Sequence, residues 1–150
     1  MSLNHILKGI TDRQREKLFK NLKDIYDQLE QDLNGMDQPC TQCGLCCNFA
    51  EFGHKLYICS LEFAYVSKHL ECDKVENFQT CPYMKEKLCS ARSYRMLGCR
   101  TFFRLHQDKD SIQAQDLYEK YLSQIKELYK TNKIPWEYKD FMVFVKEFYC

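Results

Sequence analysis

A chain of 150 residues that is 45% apolar and 29% charged, with only five Gly and three Pro, is the size of one domain with its own core, which excludes a disordered, collagen-like or low-complexity chain. Its 22 Lys and Arg stand against 21 Asp and Glu, a net +1, so the surface as a whole is no nucleic-acid or membrane footprint and any basic patch must be local. No stretch approaches the roughly 18 to 20 apolar residues that span a bilayer, and residues 1–12 lack a signal-like apolar run, so a cytoplasmic location is expected.

In chain order, residues 4–35 place Ile6, Ile10, Leu18, Leu22, Ile25, Tyr26, Leu29 and Leu33 at helical spacing with charges opposite. This predicts one long amphipathic helix ended by Asn34-Gly35. Between residues 40 and 103 the periodicity breaks up and nine of the ten cysteines appear. That zone reads as loops and short helices, with residues 62–70 as one such helix and residues 55–58 too brief to assign. From Ser111 onward Ile112, Leu117, Tyr118, Tyr121, Leu122, Ile125, Leu128 and Tyr129 repeat at three and four, predicting a second long helix with Ser111 or Asp110 as N-cap. Pro135 suits the first turn of a further helix over residues 136–148, with Phe141, Phe144, Val145 and Phe148 inward. The expected fold is mostly α: a small single domain spanning residues 1–150, with helical flanks at 4–35 and 111–149 packed around a loop-rich cysteine centre at 40–103. The aromatic residues of the flanks are expected to be core.

Ten cysteines in a reducing compartment need a reason other than disulfides. Cys40-Thr41-Gln42-Cys43-Gly44-Leu45-Cys46-Cys47 repeats the C-x2-C spacing twice in register. A two-residue spacer lets both thiolates face one ion while the intervening amides point at sulfur, and Gly44 permits the left-handed backbone of a tight loop. The neighbours Cys46 and Cys47 cannot pair as a disulfide without strain. A thioredoxin-like redox pair would need a single C-x-x-C in a βαβ setting, which is lacking. Inert buried thiols do not account for four cysteines in eight residues.

Downstream come Cys81-Pro82, Cys89, Arg95, then Cys99-Arg100-Thr101-Phe102. With the Cys40 to Cys47 run and Gly44, this pattern resembles the CxxCxxCC (YkgJ-like) family of zinc- or iron-chelating cysteine-cluster proteins over about residues 40 to 103. Met96 stands where that family usually has Pro, Arg92 where an aromatic is common, and Arg104 where some relatives have Cys. The resemblance therefore carries over seven thiols, Cys40, Cys43, Cys46, Cys47, Cys81, Cys89 and Cys99, and no metal count. Cys59, Cys72 and Cys150 fall outside the pattern and read as ordinary buried or exposed thiols.

Seven thiolates exceed the four that a tetrahedral zinc or a cubane takes, which leaves open two sites, one site with spare thiols, or a larger cluster. All-sulfur coordination suits an iron–sulfur cluster or zinc and disfavours magnesium and calcium. The C-x2-C-x2-C run favours iron–sulfur, in a structural or electron-transfer role toward a redox or protein partner. Zinc is the alternative. Between Cys81 and His106 lie Lys85, Lys87, Arg92, Arg95, Arg100 and Arg104 against Glu86 alone, a local balance of +6 − 1 = +5. These cations either offset thiolate charge or bind an anionic ligand through Arg95, Arg100 and Arg104. A zinc-stabilised module presenting an Arg-rich face is thus a second class of function, and an enzyme beside an incompletely ligated metal a third. No RNA-recognition signature or phosphate loop is present. His54, His69 and His106 are further ligand candidates, although a lone His is more often an ordinary surface or core residue. Glu51 and Glu62 read more readily as solvated charges than as ligands.

Overall fold

The computed structural model describes residues 5–34, 55–70, 75, 78–86, 88–101 and 108–149. In chain order they form α1 (Asp12–Leu33), β1 (Tyr57–Cys59), α2 (Ser60–His69), β2 (Met84–Lys85), β3 (Leu88–Cys89), a 3-10 turn (Arg92–Tyr94), α3 (Leu97–Thr101), α4 (Asp108–Thr131), β4 (Tyr138–Asp140) and α5 (Phe141–Tyr149). The fold is mostly α, with two two-stranded antiparallel sheets among the described residues, β1 with β4 and β2 with β3.

The first helix starts later than its apolar spacing suggests. Thr11 is extended and closes a capping box, its Oγ1 accepting from Gln14 N at 3.1 Å while Thr11 N donates to Gln14 Oε1 at 2.8 Å. Ahead of it Gly9 takes φ +81, a left-handed conformation that interrupts a continuous helix from residue 4. Ile6 and Leu7 are still buried, in the turn that precedes the cap. Leu18, Leu22, Tyr26 and Leu29 form the inward stripe of α1, and Asn34 caps its end by donating to Glu30 O.

Seven successive residues of α2, Ser60 to Val66, are buried, so this helix is core on every side rather than amphipathic. Phe63 stands at its centre, stacked on Phe144 at 5.1 Å and in contact with Phe141, Phe148 and Tyr149 of α5. On its other side Tyr65 meets Phe19 and Tyr26 of α1 edge-on. The expectation that the aromatics are core holds for these residues.

Pro135 does not open a helix. Residues 138–140 instead pair with β1 in the register Tyr57↔Asp140, Ile58↔Lys139, Cys59↔Tyr138, and the ladder is extended by Ser60 N to Glu137 O and Phe141 N to Leu56 O. The helix begins after the strand, where Asp140 Oδ1 accepts from Met142 N at 2.9 Å as an N-cap. Likewise α4 begins at Asp108, ahead of the N-caps expected at Asp110 or Ser111; acidic residues suit a first turn. It ends in a Schellman turn, with Lys133 N to Lys130 O, Ile134 N to Tyr129 O, and Lys133 at φ +54. α4 is tied to α1 through Lys120 and Tyr121, both bonded to Asp32 Oδ2.

Candidate metal centre

The segment from Cys81 to Cys99 carries the downstream thiols on very short elements. Cys81-Pro82-Tyr83-Met84 is a turn closed by Met84 N donating to Cys81 O at 3.0 Å, and Pro82 supplies the φ its second position needs. The chain then reverses through the β2–β3 hairpin, with Met84 opposite Cys89 and Lys85 opposite Leu88, and Glu86 takes φ +51 in the reversal. Cys81 and Cys89 therefore belong to one turn-and-hairpin unit. Tyr83, 2% exposed, docks that unit by stacking its ring on Phe141 at 6.1 Å. Cys81 is buried and Cys89 half-buried, and none of Cys59, Cys81, Cys89 and Cys99 is disulfide-bonded.

Cys99, also half-buried, is the third residue of α3. Arg100, 6% exposed, ties this helix to the frame: Nε donates to Arg95 O at 2.7 Å, Nη2 to Ser93 O at 3.1 Å and Nη1 to Glu30 Oε1 at 2.9 Å. Its guanidinium also lies over the Tyr26 ring at 4.1 Å, a cation–π contact with α1. Arg95 is buried too, and its Nη1 reaches Cys99 O at 3.4 Å. Both arginines expected to face an anionic ligand thus point into the protein, where their donors fold the backbone around Cys99. Their planar guanidinium forks are matched to backbone carbonyls and, for Arg100, to Glu30.

Glu62 is the residue that sequence reasoning placed wrongly. It was expected to be a solvated charge, yet it is 1% exposed. Oε1 accepts from Leu97 N at 2.7 Å and from Tyr26 OH at 3.0 Å, and Oε2 from Cys59 N at 3.0 Å. Burial pushes its pKa up while these donors hold it down. Among the described residues these two amides and the Tyr26 hydroxyl, with the Cys59 thiol beside them, all favour the ionised carboxylate. The signal lay in its spacing: a Glu three residues after the residue that precedes an apolar run is the capping position, with Cys59 in place of the usual Ser or Thr.

Beside it, Tyr129 OH accepts from Leu61 N at 2.7 Å and shares a hydrogen bond with Ser60 Oγ at 2.8 Å. Burial, and then the Glu62 charge, drive the Cys59 thiol well above its ordinary pKa. Burial there disfavours the thiolate form of Cys59. His69 stacks flat on Tyr94 at 4.2 Å, and burial, then Lys68, lower its pKa.

Cys40, Cys43, Cys46, Cys47, Cys72, Cys150, Glu51, His54, His106, Lys87 and Arg104 lie outside the described residues. Among the described residues no three His, Cys, Asp or Glu side chains converge as a metal-holding group, so Cys81, Cys89 and Cys99 do not complete a site by themselves. Thiols suit a soft metal, and Arg95 Nη1 reaches the carbonyl of Cys99. No helix among the described residues is long and apolar enough to cross a membrane. No family model, no curated protein and no solved structure matches the chain.

Proposed function

We propose that this chain is a cysteine-ligated metal-binding protein of the CxxCxxCC kind, with an iron–sulfur cluster as the favoured occupant and zinc as the alternative. Its ligands are drawn from Cys40, Cys43, Cys46, Cys47, Cys81, Cys89 and Cys99. The observation that carries the reading is the pairing of four cysteines within eight residues of sequence with three more on one segment whose backbone is fastened to the frame at Tyr83, Leu97 and Arg100. A ligand set spread over two distant stretches of chain needs its second half held still, and those fastenings hold it.

A bound iron–sulfur cluster would supply one-electron transfer, and a bound zinc a charge that knits the segments together. The chain's own part would be to hold the thiolates, with the backbone around Cys99 fixed by Arg95 and Arg100 through the carbonyls of residues 93, 95 and 99. The role is structural or electron-carrying toward a protein partner.

The test is analysis of iron, acid-labile sulfide and zinc in protein purified without oxygen, with its visible spectrum. Iron and sulfide in near-equal amounts with broad absorbance support the cluster. A colourless protein with stoichiometric zinc supports the alternative, and a chain that retains neither metal overturns the proposal.

A further inference from the structure

We infer that Glu62 is a positioning residue for Cys99, acting through the first amide of α3; this rests on the metal reading above. A five-residue helix does not hold its own geometry, since isolated helices shorter than about 12 to 15 residues are marginal in water. α3 (Leu97–Thr101) must therefore take its position from its contacts.

Those contacts bracket Cys99 closely. Leu97 N, two residues before it, donates to the buried Glu62 carboxylate at 2.7 Å. Gly98 is packed so tightly that a Cβ there would meet Leu56 Cδ1 at 2.6 Å. Arg100, one residue after, reaches Glu30 and the carbonyls of Arg95 and Ser93. The chain on both sides of Cys99 is thus fixed against α1, α2 and the residue preceding β1.

Glu62 differs from the other contacts in joining three helices at one side chain. The same carboxylate receives Tyr26 OH from α1, Cys59 N at the start of α2 and Leu97 N at the start of α3. Any rotation of Glu62 toward one partner draws it away from the others, so the orientation of α3, and with it the direction of the Cys99 side chain, is set relative to the whole frame. Groups that orient a ligand from behind are worth about 10 to 100-fold in metal affinity.

The experiment uses the full-length chain loaded with Zn²⁺, and reads the rate of zinc transfer to an excess of a coloured chelator together with the alkylation rates of Cys99 and Cys81 in the metal-free chain. Glu62→Ala is expected to release zinc about tenfold faster and to speed alkylation of Cys99 while Cys81 is unchanged. Glu62→Gln, which keeps an acceptor for Leu97 N, is expected to restore most of both rates. Val145→Ala, a cavity in α5, serves as the control that lowers stability without touching α3.

Rates in Glu62→Ala no different from those of Val145→Ala, or Cys81 and Cys99 accelerated equally, overturn the inference. If Glu62→Ala does not fold, Glu62→Asp keeps the charge but is too short to span Cys59 N and Leu97 N, and the same outcomes decide. Failure of the wild-type chain to take up zinc or iron overturns the metal reading instead. The selective alkylation of Cys99 then still decides whether Glu62 positions it.

Discussion

The frame of α1, α2, α4 and α5 and the cysteine-bearing segment of residues 78–101 are held by different forces. In the frame, Phe63, Phe141, Phe144, Leu22, Leu29, Tyr121 and Ile125 are almost wholly buried, and stability there is spread over many interchangeable apolar contacts. Among its described residues the segment has two-residue strands, one 3-10 turn and a five-residue helix. It buries Tyr83, Ala91, Met96 and Leu97 in the same core and adds to them the directed bonds of Glu62 and Arg100. A buried donor or acceptor left without its partner costs about 1–3 kcal/mol, so single substitutions test the segment's directed bonds individually.

The largest effect follows from metal removal, since structural zinc alone is worth roughly 10–16 kcal/mol in small peptides. Chelation, or Cys43→Ser, is expected to melt residues 78–101 while the long helices stay partly formed. Hydrogen exchange should then show lost protection at Met84 and Ser90 with protection retained at Leu22 and Ile125. Uniform loss across both regions would break the comparison.

Within the frame, Phe63→Ala should cost about 3–5 kcal/mol, read by urea unfolding, because it leaves a hole among four aromatic rings of α5. Arg100→Ala should cost about 2–4 kcal/mol, as hydrogen bonds to a charged group are worth roughly 1.5–3 each. Glu30→Ala should cost under about 1 kcal/mol, being an exposed partner. Equal losses for the two would show that the ion pair, and not the carbonyl bonds of the buried arginine, holds α3.

Glu62 supplies the pH test. Its folded pKa is raised above the ordinary 4.5, first by burial. The native chain therefore keeps this proton where the unfolded chain has lost it, so the group's contribution is full below pH 4.5 and declines as pH rises through the raised value. The stability advantage of wild type over Glu62→Gln should shrink as pH climbs through that window; an advantage that grows would reverse the assignment. One substitution is expected to give a gain: Lys133 sits at φ +54 in the α4 end turn, and Lys133→Gly should stabilise by about 1 kcal/mol, seen as a melting temperature a few degrees higher.

How much of this was legible in the sequence differed between the same two regions. Helical period revealed α1, most of α4 and α5, because a buried stripe is written at every third and fourth residue, whereas α2, buried on every side, carries no such stripe. It misplaced the start of α1, where Ile6 and Leu7 are buried without being helical. It also missed β4, whose three residues are strand only because Tyr57–Cys59 lies alongside. In the site, the sequence could not say that Arg95 and Arg100 turn inward, since a guanidinium seeking carbonyls and one seeking an anion look alike in sequence. Glu62 was hidden because its partners Tyr26 and Leu97 are 36 and 35 residues away.

The account turns on the thiols of residues 81–99 being ligands and Cys59 not. Mass-spectrometric footprinting with an alkylating reagent, on metal-loaded and chelated chains, reads this directly. Cys81, Cys89 and Cys99 should be protected when metal is bound and react on chelation, together with Cys40, Cys43, Cys46 and Cys47, while Cys59 stays unreactive in both until the frame unfolds. Equal reactivity of Cys81, Cys89 and Cys99 with and without metal would contradict it.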